Sequence, residues 1–281
     1  MLKVALPNKG SLSEDAIKMV GEAGYKCKRH GPELTTADKD SGIEFFFLRP
    51  RDIPVYVYGG EIDLGISGRD LARDSGVELN ELLALGFGGS QFMYAVPTGS
   101  GLTPDNLDGK RIATSYKGLV EQHLAERGVQ AQVLRLDGAV EIAIKLGVAD
   151  AIADVVQTGR TLREAGLCTV GEPIFKSEAV VLGRNSGAES PAAEKFIQRL
   201  QGIVVARQYT VVEYDIPNES LEQACAITPG IESPTVSPLS EERWSAVKAM
   251  VEKKNVNSIM DQLAELNAKG IMFTEIKTCR I

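Results

Sequence analysis

Histidine is nearly missing from this chain. There are two in 281 residues, His30 and His123, and they share no motif. A serine or cysteine hydrolase needs an imidazole base, and neither histidine sits in such a setting. Cysteine is scarce too: Cys27, Cys168, Cys225 and Cys279 form no CxxC pair. That pattern excludes a disulfide framework and a His/Cys metal centre, and reads as reduced structural thiols. Basic charge is in deficit, with 31 Lys and Arg against 38 Asp and Glu and a formal net charge of -7. A general nucleic-acid-binding surface is not expected on such a chain. No apolar run approaches the ~18 residues of a membrane helix. The opening "MLKVALPNKGS" has a proline and a lysine where a signal peptide has its apolar stretch. The expectation is a cytoplasmic protein with no membrane and no nucleic-acid partner. Its chemistry falls to carboxylates, backbone amides, lysine and arginine.

What is present is a strand–helix rhythm. "LKVALP" reads as a strand, and "SLSEDAIKMVGEAG" as an amphipathic helix with Ser11 and Glu14 as a capping box and Gly24 as its end. "IEFFFLRP", "IDLGIS", "KRIATSY", "AQVLRL", "DAIADVV" and "SEAVVLGR" read as further strands. "RDIPVYVYGG", "GRDLARDSG", "KGLVEQHLAERG", "DGAVEIAIKLG" and "TGRTLREAGL" read as helices or helix openings. At "LLALGFGGSQFMYAVP" the rhythm breaks, which predicts a crossing strand or hinge. The strand "SEAVVLGR" is expected to return to the first lobe, followed by the long helix "PAAEKFIQRLQGIVVARQ". The tail reads βαββαβ, the ferredoxin-like order, with Asn218 and then Asn257 or Ser258 near helix starts and Gly270 at a helix end. The expected division is residues 1–89 with 182–210 as one lobe, 90–181 as a second, and 211–281 as a small α+β domain.

One stretch repeats. "SGRDL" at Ser67–Leu71 matches "TGRTL" at Thr158–Leu162; each follows an apolar strand, each leads to a glycine (Gly76, Gly166), and an aspartate precedes each (Asp63, Asp150). Turns at strand carboxyl ends, facing each other across a cleft, are where open α/β sheets bind ligands. In "DVVQTGRTL" a helix opening offers N–H groups, a glycine permits close approach, and Thr158 and Thr161 add hydroxyls, a setting for a phosphate monoester. The bland alternative is a threonine N-cap without a ligand. Asp154 at the end of an apolar strand shifts the balance, because an unpartnered carboxylate is costly there. With Glu141 on the preceding helix, it makes a ribose-phosphate site. The first copy has Asp70 in place of the second threonine, poorer for phosphate and better for donors or a base edge. Lys9, Arg49, Tyr116 and Lys117 also stand at strand ends or helix openings and are candidates for the same cleft.

The run "EIAIKLGVADAIADVVQTGRTL" resembles the signature of the ATP phosphoribosyltransferases of histidine biosynthesis, through Glu141, Gly147, Ala149, Ile152, Asp154, Val155, Thr158, Gly159, Thr161 and Leu162. "PNKGSL", "FFFLRPRDIPVYVYGGEIDLGISGRDL", "KRIATSY" and "TPGIESPTVSPL" extend the resemblance over essentially the whole chain, the last to the regulatory domain of the long form. It implies two periplasmic-binding-protein-like α/β lobes with parallel-rich sheets plus a C-terminal ferredoxin-like domain. It implies attack of N1 of ATP on C1 of phosphoribosyl pyrophosphate, with Mg²⁺ carried by the substrate rather than by a protein cage. In that scheme Asp154, Val155, Thr158, Gly159, Arg160, Thr161 and Leu162 bind phosphoribosyl pyrophosphate, with Asp154 and Glu141 catalytic. Arg160 occupies a position the family pattern leaves free. Lys9, Leu12, Arg49, Asp70 and Tyr116 face ATP. Histidine inhibits through Asp215, Ile231 and Thr235, and the chain forms a homo-oligomer, dimers building a hexamer. Two other readings exist. A prephenate dehydratase-like enzyme would carry a Thr-Arg-Phe stretch, which is missing. A solute-binding or sensor protein would not need Asp154 beside a phosphate turn.

Overall fold

The structure, a computed structural model, describes residues 1–28, 31, 33–156, 159–184 and 190–280, Ser11 without its side chain. The chain divides into two compact units, Met1–Ile197 and Gln198–Ile281. The first unit begins with β1 (Leu2–Pro7), α1 (Ser11–Glu22), β2 (Thr35–Asp38), β3 (Ile43–Leu48), α2 (Ile53–Gly59), β4 (Leu64–Gly68), α3 (Arg69–Asp74) and β5 (Asn80–Ala84). It continues with β6 (Ser90–Pro97), β7 (Arg111–Thr114), α4 (Lys117–Arg127), β8 (Gln132–Arg135), α5 (Ile142–Lys145), β9 (Ala151–Val156), α6 (Arg160–Glu164), β10 (Leu167–Ser177) and β11 (Ala179–Gly183). Helix α7 (Pro191–Gln208) starts in this unit and ends in the second.

Two sheets result, one per lobe: β2-β3-β1-β4-β11-β5 and β10-β6-β9-β7-β8. They share a plan. In each, a central strand (β4 or β9) pairs in parallel with the lobe's first βα strand (β1 or β7) and antiparallel with a strand arriving from the other lobe (β11 or β6). The chain therefore crosses twice, at residues 85–89 and at Glu178. The crossings are joined: Leu85 N–H donates to Ala179 O at 2.9 Å, and Ala179 N–H to Phe87 O at 2.9 Å.

The repeat seen in the sequence extends to hydrogen bonds. Asp63 N–H donates to Lys3 O at 3.0 Å while its carboxylate accepts Lys3 N–H at 2.8 Å. Asp150 N–H donates to Arg111 O at 2.8 Å while its carboxylate accepts Arg111 N–H at 2.9 Å. Each aspartate fastens the entry of a central strand to its parallel neighbour.

Separate apolar clusters support the lobes. Tyr25, Phe45 and Phe196 pack as an aromatic group in the first, with the Tyr25 and Phe196 rings 5.2 Å apart. Phe92, Tyr94, Ile112 and Val120 anchor the second. Burial of this kind is the main favourable term in folding.

The second unit carries β12 (Tyr209–Pro217), α8 (Leu221–Ile227), β13 (Thr235–Pro238), β14 (Trp244–Glu252), α9 (Val256–Glu265) and β15 (Lys269–Glu275). Its antiparallel sheet has the order β13-β14-β12-β15, a ferredoxin-like arrangement. Strand β12 alternates strictly, so Val212, Tyr214 and Ile216 enter the core and Val211, Glu213 and Asp215 lie on the other face. Among the described residues no helix is long and apolar enough to cross a membrane.

Several boundaries differ from expectation. Gly10, at φ 76, is the N-cap of α1, so Ser11 is its first helical residue and not its cap. Helix α5 is only Ile142–Lys145, because Gly138 (φ 133) and Ala139 (φ 48) hold the chain out of helical conformation; Glu141 is its N-cap. Asn218 opens a short 3₁₀ turn, and its side chain binds Glu242 O and Ser245 Oγ instead of capping α8. Asn255 precedes α9, and Asn267 (φ 64) ends its last turn; Gly270 lies inside β15. Strands β2 and β10 carry no clear alternation and were not expected.

Candidate active site

Strand β9 ends at Val156, and Gly159 is the N-cap of α6. Gly159 takes φ 66, a left-handed conformation that glycine adopts without penalty. Glu141, Asp154, Val155, Val156, Gly159, Arg160, Thr161 and Leu162 line one recess of about 280 Å³. Residues from the N-cap of α5, the end of β9 and the start of α6 thus share one cavity. Thr158, predicted to bind the 5-phosphate, lies outside the described residues. The Arg160 side chain is 81% exposed and paired with Glu164 at 2.8 Å.

Asp154 gives the recess its electrostatic character. Burial pushes its carboxyl above the usual range, the charges of Glu141 and Asp70 push the same way, and a hydrogen bond from Val155 N–H (2.8 Å) opposes them. The ionised form is therefore strained until something donates to it or brings positive charge. A sugar diol and a developing cation both answer that need.

The other lobe brings a second group to the same cleft. Asp70, in the first turn of α3, is 6% exposed. Tyr116, at the N-cap of α4, lies close enough for the Asp70 carboxylate to act on its hydroxyl. Burial first, then Asp70, raise the Tyr116 pKa, so the phenol keeps its proton. The Arg51 guanidinium stacks 4.9 Å from the Tyr116 ring centre and pairs with Asp74, whose other oxygen accepts Leu119 N–H at 3.4 Å. Arg73 stacks 4.6 Å from the Phe175 ring centre. Helices α3 and α4 therefore meet across the cleft through charged and aromatic groups.

Lys9 and Arg49 sit together at the carboxyl ends of parallel β1 and β3, where Asn8 N–H donates to Leu48 O at 2.8 Å. Both are exposed and unpaired among the described residues. Leu12 packs at the crossing: a Cβ on Gly88 would lie 2.7 Å from its Cδ2. Arg51, Asp74 and Ser177 were missed. Arg51 had a signal, being two residues beyond Arg49 in "LRPRD"; Ser177 had none, because its partner is 107 positions away.

In the second unit Asp215 and Thr235 share the sheet face away from the helices. Asp215 is in register with Lys269 and Ala246, and Thr235 with Lys248, which pairs with Glu213 at 2.7 Å. Ile231 is exposed in the loop before β13.

Comparison with known proteins gives a consistent result. The family model described as ATP phosphoribosyltransferase matches residues 49–202, and that described as HisG, C-terminal domain, matches residues 206–278. The ATP phosphoribosyltransferase of Salinibacter ruber is 57% identical over 283 residues, and that of Pseudarthrobacter chlorophenolicus 56% over 284, each covering 100% of both chains. Among solved structures, an ATP phosphoribosyl transferase (HisG:HisZ) complex from Thermotoga maritima matches with a TM-score of 0.65 at 28% identity, covering 73% of this chain and 99% of that one. A putative L-cystine ABC transporter from Listeria monocytogenes matches with a TM-score of 0.50 at 14% identity, covering 72% and 89%, a likeness of fold alone. With both family models and full-length relatives in agreement, the chain belongs to the ATP phosphoribosyltransferase family, in the long form that carries a C-terminal domain.

Proposed function

We propose that the recess between α5, β9 and α6 holds phosphoribosyl pyrophosphate while the family reaction, transfer of the phosphoribosyl group to N1 of ATP with release of pyrophosphate, takes place above it. The observation that carries this reading is the convergence of two carboxylates, Glu141 and Asp154, with the glycine turn that opens α6. Gly159, Arg160, Thr161 and Leu162 supply backbone amides and a hydroxyl for the 5-phosphate, together with Thr158 and Val155. Asp154, helped by Glu141, takes the ribose hydroxyls. As pyrophosphate departs, positive charge grows on the ribose ring, and the same two carboxylates stabilise it. Nothing need bond covalently to the protein; orientation supplies the rest.

Lys9, Arg49, Leu12, Asp70 and Tyr116 hold the nucleotide. The two exposed cations suit its triphosphate, and buried Asp70 with half-buried Tyr116 suits donors on the base or sugar. Glu141 and Asp154 are hard oxygen donors, the chemistry Mg²⁺ accepts; a Mg²⁺ bound to the pyrophosphate would supply positive charge against the leaving group. The second unit takes free histidine, with Asp215 for the ammonium group and Thr235 and Ile231 beside it, and binding lowers activity. The chain acts in the cytoplasm as a homo-oligomer, dimers building a hexamer. Pyrophosphate release is the direct test: it should require ATP, phosphoribosyl pyrophosphate and Mg²⁺ together. Release without ATP would overturn the assignment.

A further inference from the structure

The two related turns, Ser67–Leu71 and Thr158–Leu162, end differently. Gly159 is left-handed and its turn opens on the recess, whereas Gly68 is extended, at φ -75 and ψ 139. The first amides of α3 are already taken by the second crossing strand. Arg69 N–H donates to Glu178 O at 3.0 Å, and Asp70 N–H donates to Ser177 Oγ at 3.0 Å. The Ser177 hydroxyl then donates to Asp70 Oδ1 at 2.7 Å, closing a ring of two hydrogen bonds between the same two residues. Ser177 and Asp70 are each 6% exposed. A Cβ on Gly68 would lie 2.3 Å from Asp70 Oδ1, so the carboxylate fills space that only glycine leaves open.

The ring is tied to the other crossing as well. Glu178 accepts Gly86 N–H at 3.1 Å through one carboxylate oxygen and binds Arg69 at 3.2 Å through the other. We propose that Ser177 is a positioning residue of the transfer reaction: from the crossing between the lobes it holds the Asp70 carboxylate against Tyr116 on the nucleotide side. This rests on the reading that Asp70 faces ATP. The hydroxyl is fully engaged with one residue, and no other side chain donates to Asp70 Oδ1 among the described residues. Any reorientation of the lobes either carries Asp70 with the crossing or breaks the ring.

Kinetics of the full chain carrying Ser177→Ala, Asp70→Ala and both changes test the proposal, with KM measured separately for each substrate. Ser177→Ala should lower kcat/KM for ATP roughly tenfold, the size expected for one buried hydrogen bond to a charged group, and move KM for phosphoribosyl pyrophosphate less than twofold. In the Asp70→Ala background the same change should have no further effect. An equal loss in both backgrounds, or no loss in either, overturns the role of Ser177. Wild-type behaviour of Asp70→Ala alone overturns the reading of Asp70 and the proposal with it. If Ser177→Ala lowers Tm too far for assay, Ser177→Cys keeps the volume while weakening the donor, and the same two outcomes apply.

Discussion

Asp154 carries opposing demands in a single side chain. Its carboxyl is raised by burial and by the nearby charges of Glu141 and Asp70. For a carboxylate raised in the folded state, the stability it contributes is present at low pH, with the proton on, and is lost as pH rises through the folded value. Near neutrality the ionised group costs the empty enzyme stability. Asp154→Asn removes that charge in nearly the same volume. We expect turnover to fall about 100-fold or more, while Tm near neutral pH stays level or rises. Paired kinetics and thermal denaturation check this; a fall in Tm matching the loss of activity would make Asp154 a structural residue. This position was legible in the sequence because a carboxylate ending an apolar strand is anomalous by itself. Asp70 was legible for a different reason, as the aspartate that stands in the first turn where its repeat has Thr161. Ser177 and Arg51 were not, since their meaning lies in partners brought together only by the two chain crossings.

Elements show a related division. Strands such as β3 and β9 announced themselves by apolar pattern, and the turn into α6 by its glycine and hydroxyls. The lengths of α5 and the entry to α1 did not, because backbone conformations at Ala139 and Gly10 decide them. The paired aspartates were visible as residues, but their task emerges only in the parallel pairing of β7 with β9. Arg111 grips Asp150 through its backbone N–H and its guanidinium, with Nη2 to Oδ1 at 2.9 Å, and reaches Gly147 O at 2.9 Å. The clamp fixes the loop that feeds β9 and so places Asp154. Hydrogen bonds from the Arg111 side chain, then from its N–H, hold the Asp150 carboxyl down at about 2. A depressed carboxyl stabilises the fold above its ordinary range, and the contribution is lost as pH falls toward the folded value. Asp150→Asn should therefore lower Tm near neutral pH, and the gap from the parent should close as the solution approaches about pH 2. Melting curves along a pH series measure it; a gap that does not change with pH would mean the ion pair is not its source.

At the scale of the whole chain, two units divide the labour. In the proposed scheme the lobes carry the transfer site, and the second unit has a sheet face bearing Asp215, Thr235 and the Glu213–Lys248 pair. The ferredoxin-like order was readable from the alternating strand β12 and the proline-bounded β13, whereas no sequence pattern disclosed how the tail meets α7. There Cys279 N–H donates to Gly202 O at 3.0 Å, and a Cβ on Gly202 would lie 2.9 Å from Thr278 Oγ1. Cutting the chain at Arg207 would strip this contact from a helix that continues into the lobes, so truncation confounds regulation with damage. A point change on the sheet face avoids the problem. Asp215 is half-buried in β12, opposite Lys269 and Ala246, and, unlike Glu213, which pairs with Lys248, it is the carboxylate on that face we take to meet an amino acid's ammonium. Asp215→Ala should raise the histidine concentration that halves the rate at least about tenfold, the cost of one charge-assisted hydrogen bond. The rate with histidine is read against the rate without it in the same protein, so a change in basal turnover cancels. Unchanged sensitivity would place the effector site away from this face.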